Sequence, residues 1–343
     1  MSRNLPLFQV VAAMGILLIV FGHAFISSNY QEANPAWYQY AQRAVYQFHI
    51  HLFFFISGFL LVHVHRSRSF VYGSFIRKRF IRLMGPYLFF MILNLVPNFI
   101  WHNFAAYPVR VPEDLLHILL YPKDNTIKYH WFLYTLFAVS LFTPMALCAL
   151  RQAWSACLLS AVLLVLFLGI PKHSIPLLNL SAWFHFGLYY WLGMVACQWR
   201  EPLFSWWKPS YAGCASLILC AGLVLAFWML SYFIPSNLGP PHVTIAYALF
   251  GILGICTIFA LAAWYQGRGW TWLSFLDGRT MTVFLLSWYG HKGADMLLHQ
   301  GLGLGFYGVF PVSVCLGLLI PLVVFRIFAH RHPALDCVLG VHA

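Results

Sequence analysis

The chain has 343 residues, of which 62% are hydrophobic and only 8% charged, and its mean hydropathy is +0.76. A composition this apolar excludes a soluble globular protein and defines a polytopic membrane protein. The formal charge of +12 is therefore read as basic cytoplasmic loops rather than as a nucleic-acid surface.

"MSRN" passes directly into "LPLFQVVAAMGILLIVFGHAFI" with no small-residue cleavage site behind it, so this stretch is expected to be retained as the first span. Searching onward for about 20 predominantly apolar residues per span gives ten, near 5–26, 45–65, 85–105, 130–150, 153–171, 181–199, 211–234, 242–265, 270–291 and 303–328. The connections 27–44 and 106–129 are the two long ones without an extended apolar core, and no separate soluble domain fits. The expected fold is an all-α bundle of about ten transmembrane helices, one domain over residues 1–343. With a cytoplasmic N-terminus, fourteen of the twenty Lys and Arg residues fall inside and six (Arg43, Arg110, Lys123, Lys128, Lys172 and Lys292) outside. That bias places both termini in the cytoplasm.

This orientation sorts the histidines. His23 ends span 1, His49 and His51 open span 2, His130 opens span 4, His185 lies early in span 6 and His291 ends span 9, all toward the outer side; His63 and His65 fall at the inner one. His23 lies roughly 27 Å along its helix from residue 5. An ionisable side chain at that depth marks a candidate functional site. A neutral imidazole can take the proton of an alcohol at neutral pH, and the competing reading is an interfacial histidine that only satisfies a carbonyl. His49 and His51, two apart, point in different directions and cannot both face one cavity.

"FIRKRFIRLMGPY" (75–87) gathers Arg77, Lys78, Arg79 and Arg82 ahead of span 3. It reads either as a stop-transfer anchor or as a phosphate clamp, since guanidinium forks match phosphate oxygens. "FLDGRTMTVFLLSW" (275–288) holds Asp277 and Arg279 either in a turn at the inner surface or some way into span 9, and structural support of the helix start is favoured. His49 with His63, or His51 with His65, would suit stacked haems, but no second span supplies the other axial ligands, and no Cys/His cluster has zinc spacing. The eight cysteines form no C-x-x-C pair and are expected to be buried small hydrophobes. No internal repeat is evident, and Pro97 and Pro311 are candidates to break their helices.

His23 late in span 1, then "FHIHLFFFISGFLL", "FIRKRFIRLMGPY", "HWFLYTLF", "FHFGLYYWLGMV" and "DGRTMTVFLLS" together resemble the membrane acyltransferase-3 family, closest to its fucose O-acetylase-like and surface-polysaccharide O-acyltransferase branch. The resemblance covers nearly the whole chain. It implies an acetyl-CoA-dependent O-acyltransferase of the bacterial inner membrane, with no tightly bound cofactor, that acylates a hydroxyl of an envelope or exported polysaccharide or its precursor. It also implies His23 as the essential histidine and Lys78, Arg79 and Arg82 as the basic motif, with Arg77 beside them, contacting the acyl-CoA. His49, His51 and Trp131 are expected to shape the acceptor mouth. Expected partners are membrane lipid, acyl-CoA, the glycan and other polysaccharide-synthesis proteins, with no nucleic acid. The chain departs from the family pattern at three positions: Ala12 replaces an arginine, Ser287 a histidine and His51 a proline. The first two motivate a non-catalytic synthase subunit as an alternative, and the polar outer face with in-span prolines motivates a glycan transporter or flippase.

Overall fold

In lipid, backbone N–H and C=O groups must be satisfied within the segment, so apolar stretches of this length have the helix as their available form. The computed structural model describes residues 5–24, 34–65, 70–100, 111–123, 130–171, 174–199, 213–215, 218–222, 225 and 240–341, and these are helices and their connections without strands. The helices are α1 Leu5–His23, α2 Ala36–Tyr46, α3 His49–His65, α4 Tyr72–Arg79, α5 Gly85–Ile100, α6 Val111–Leu120, α7 Trp131–Ser140, α8 Thr143–Ala149, α9 Ala153–Gly169, α10 Leu180–Gln198, α11 Pro240–Gly267, α12 Thr280–Ala294, α13 Phe306–Phe328 and α14 Pro333–Leu339.

Three of the described helical stretches are long and apolar enough to cross a membrane: Ala36–His65, Ile245–Gly267 and Phe306–Phe328. A fourth crossing exists if α7 and α8, bent by 51°, are taken together; Leu7–His23 and Ala153–Gly169 are shorter apolar helices. The expected span over 211–234 falls mostly outside the described residues, as do the cations Arg3, Arg66, Arg68, Arg110, Lys128, Lys172, Arg200 and Lys208.

Several elements differ from the sequence-based expectations. Both long connections contain a helix, α2 in the first and α6 in the second. The α2 helix, 11 residues long and carrying Gln39, Gln42 and Arg43, is too short to cross alone and forms the first part of the Ala36–His65 stretch. α5 continues through Pro97, and α13 runs through Pro311 and Pro321, so these prolines do not end their helices. The cysteines are free, but Cys148, Cys157, Cys214, Cys256 and Cys315 are on the outside of their helices, and only Cys197 is buried. In a bilayer that outer surface meets acyl chains, which suit a thiol as well as a protein core does.

The chain divides into two compact units, one of residues 1–56 with 200–332 and the other of 57–199 with 333–343. In the first, α1 is the hub and packs on α2, α11, α12 and α13. Its buried stripe of Ala13, Ile16, Ile19 and Val20 meets Tyr265, Leu273, Leu276 and Val283. α12 and α13 pack along most of their length, and they come close because a Cβ at Gly290 would lie 2.5 Å from the Leu316 backbone. In the second unit, Gly58 of α3 plays the same part: a Cβ there would lie 1.9 Å from the Tyr190 carbonyl oxygen of α10. Small residues permit such backbone contacts between membrane helices.

Candidate functional site

α1 ends at His23, and a helix end leaves carbonyls without intrahelical donors. α2 closes that end. Tyr38, Gln42 and Tyr46 recur every fourth residue and so share one face. Tyr38 Oη donates to the Phe21 carbonyl at 2.8 Å, while Gln42 Nε2 and Tyr46 Oη donate to the Gly22 carbonyl at 2.7 and 2.8 Å. Tyr46 can come this near only because residue 22 is glycine; a Cβ there would lie 2.8 Å from its ring.

Tyr46 Oη is also 2.8 Å from His23 Nδ1. The phenol has one proton, and the carbonyl of Gly22 can only accept. Both short contacts are satisfied when the phenol donates to Gly22 and the imidazole carries its proton on Nδ1, donating to the phenol oxygen. His23 therefore presents its lone pair at Nε2, the arrangement a general base requires.

His49 joins this centre. Its ring centroid is 6.3 Å from that of His23 and 5.2 Å from that of Tyr46, and it is 3% exposed. Its Nδ1–H donates to the Val45 carbonyl at 2.8 Å, one helical turn back, which fixes the ring. His291 of α12 is the second imidazole, after His49, near enough to act electrostatically on His23. It is 5% exposed, with Nδ1 2.9 Å from Ser313 Oγ of α13. The sequence placed His291 on the outer side without giving it a role, and it singled out nothing at Tyr46.

His51 is buried too, but two residues beyond His49 it is turned by roughly 200° around α3. Trp131 belongs to the second unit, where it packs against Phe186 at 5.3 Å with Lys123 Nζ 5.9 Å from its ring. His185 serves structure, with Nε2–H donating to the Ile170 carbonyl at 2.7 Å. Asp277 and Arg279 lie in a turn, with Gly278 at φ 71°, ahead of α12. Arg279 rests over the Phe325 ring at 5.3 Å and, as the N-cap of α12, makes no side-chain capping bond.

The basic motif lies wholly in the second unit. α4 ends at Arg79, and residues Phe80–Met84 form a single π-helical turn before α5. Such turns are inserted residues that recur at functional sites. Here the turn separates the cations. Arg79 is half-buried, donates from Nη1 to Ser57 Oγ at 3.0 Å and lies over the Phe75 ring at 5.4 Å. Arg82 is exposed. Arg77 and Lys78 are exposed on the surface of α4. Among the described residues no group of three or more His, Cys, Asp or Glu side chains converges to hold a metal ion.

Apolar helices carry a buried imidazole cluster in one unit and an arginine cluster in the other. The acyltransferase-3 family model, an acyltransferase domain, matches residues 10–326. The chain belongs to that family and is a membrane acyltransferase. No curated protein and no solved structure matches it.

Proposed function

We propose that the chain is an integral-membrane O-acyltransferase that moves an acyl group, acetyl from acetyl-CoA, to a hydroxyl of an envelope or exported polysaccharide or its precursor. In this reading it spans the bacterial inner membrane about ten times, with both termini in the cytoplasm. The observation that carries the reading is the hydrogen bond from His23 to Tyr46, which puts the basic lone pair on Nε2 in a family whose chemistry is acyl transfer.

His23 Nε2 removes the proton of the acceptor hydroxyl. The oxygen attacks the thioester carbonyl, the C–S bond breaks, and the thiolate takes the proton back from His23. His49, whose ring stands beside that of His23, lines the acceptor side. Arg79 and Arg82 hold CoA phosphates through charge-assisted hydrogen bonds, and the exposed Arg77 and Lys78 add to the positive field that draws the nucleotide in. The half-buried, stacked guanidinium of Arg79 supports this clamp over a simple topological anchor, because an anchor needs only exposed charge.

Mass spectrometry of envelope polysaccharide from cells with the wild-type chain, with the His23→Ala variant and without the chain tests the reading. One acyl unit of mass present only with the wild-type chain is the expected result. Full acylation in the His23→Ala cells would reject the mechanism and favour a scaffold, while equal masses in all three would reject the activity.

A further inference from the structure

His291 combines three features that structural histidines seldom share. It is buried in the first unit on α12, which packs on α1, its ring lies close against Gly317, where a Cβ would meet Cε1 at 2.5 Å, and its Nε2 has no hydrogen-bond partner among the described residues. An unpartnered buried nitrogen costs stability unless something outside the chain completes it.

The tautomer follows from the Ser313 contact. Ser313 is itself buried, and its hydroxyl lies 2.9 Å from His291 Nδ1. If the ring donated, both the serine proton and the Nε2 lone pair would be left unsatisfied. If the serine donates to Nδ1, only one group is left over, an N–H at Nε2. In that tautomer the neutral ring is a hydrogen-bond donor at Nε2. It is the complement of His23, whose Nε2 carries a lone pair.

We propose that His291 Nε2–H binds the carbonyl oxygen of the acyl donor and stabilises the negative charge that develops there as His23 activates the acceptor hydroxyl. This deepens the acyltransferase reading and rests on it. In the balanced step, the hydroxyl proton passes to His23 Nε2, the new C–O bond forms, and the carbonyl electron pair moves onto the oxygen held by His291. Collapse restores the carbonyl and expels the thiolate, which takes the proton from His23. Donors aimed at an incipient oxyanion in a water-poor site are among the largest contributors to catalysis. Ser287 stands four residues before His291 and is buried like it, so both lie on one face of α12.

The test measures transfer of radiolabelled acetyl from acetyl-CoA to endogenous polysaccharide in membrane vesicles containing the full chain. His291→Ala should lower kcat by about 10²–10³-fold with KM for acetyl-CoA nearly unchanged. His291→Gln, whose amide N–H reaches toward the Nε2 position without basicity, should recover at least about tenfold of that loss, a rescue that proton transfer by His291 would not allow. Ser313→Ala, which releases the tautomer, should cost about fivefold in kcat. An alanine variant within about threefold of wild type, or a glutamine variant no better than alanine, overturns the proposal. Should the alanine variant fail to insert, an unchanged kcat in Ser313→Ala, or a glutamine variant that inserts without activity, does so instead. Failure of the acyltransferase reading looks different: wild-type vesicles then transfer no more label than His23→Ala vesicles.

Discussion

Tyr46→Phe separates the orientation of the base from its presence. The substitution removes one oxygen that lies 2.8 Å from both His23 Nδ1 and the Gly22 carbonyl. Gly22 keeps Gln42 as a donor at 2.7 Å, so the end of α1 stays capped, and the loss of global stability should be about 1 kcal/mol. At His23 the cost falls on chemistry. The Nδ1–H loses its acceptor just as the ring becomes imidazolium, a penalty of about 1–3 kcal/mol. At about 1.36 kcal/mol per tenfold in rate, kcat should fall about 5- to 150-fold. KM for acetyl-CoA should hold, because Tyr46 touches the base and not the basic motif. The assay is acetyl transfer from labelled acetyl-CoA in vesicles at saturating donor, with insertion checked by size-exclusion chromatography in detergent. A Tyr46→Phe protein with full kcat, beside an inactive His23→Ala protein, would refute the assignment of the His23 tautomer to Tyr46.

Arg79→Lys should raise KM for acetyl-CoA by about tenfold and leave kcat largely intact, since a lysine can neither fork onto a phosphate nor stack on Phe75 as a guanidinium does; an unchanged KM would return the motif to a topological role. In the wild type, KM should also rise as salt is raised from low to physiological concentration, because the exposed Arg77, Lys78 and Arg82 are screened over about 10 Å; a salt-independent KM contradicts a phosphate clamp. Gly58→Ala should force α3 and α10 apart, costing about 1–3 kcal/mol or more, seen as a fall of several degrees in the melting temperature in detergent. An unshifted melt would mean that this helix crossing is not close-packed.

Charge-poor, apolar stretches made the helical membrane class legible at once, and the polarity of His23 inside such a stretch singled it out as a candidate base. Its surroundings were not legible. The face of α2 that fixes His23 is built from Tyr38, Gln42 and Tyr46, three residues common at any membrane interface, and their purpose depends on the Gly22 carbonyl from another helix. His291 and Ser313 are 22 residues apart on two helices that meet at Gly290, so neither residue announces the other along the chain. Arg79 and Arg82, three apart, would share a face of a regular α-helix, yet the π-turn at 80–84 begins between them, and no periodicity signals an inserted residue. The single spans read at 45–65 and 130–150 merged or bent because turns at 47–48 and 141–142 replace only two residues of helix each, too few to interrupt a hydrophobic run.

Helix tips ordinarily fray, and a reactive group carried on a last residue would wander with them. Here the amphipathic segment after α1 folds back as a clasp, fastening two terminal carbonyls with three side chains while leaving the imidazole just past the fastening point. The imidazole at the tip of α1 is thereby held as firmly as a residue at mid-helix.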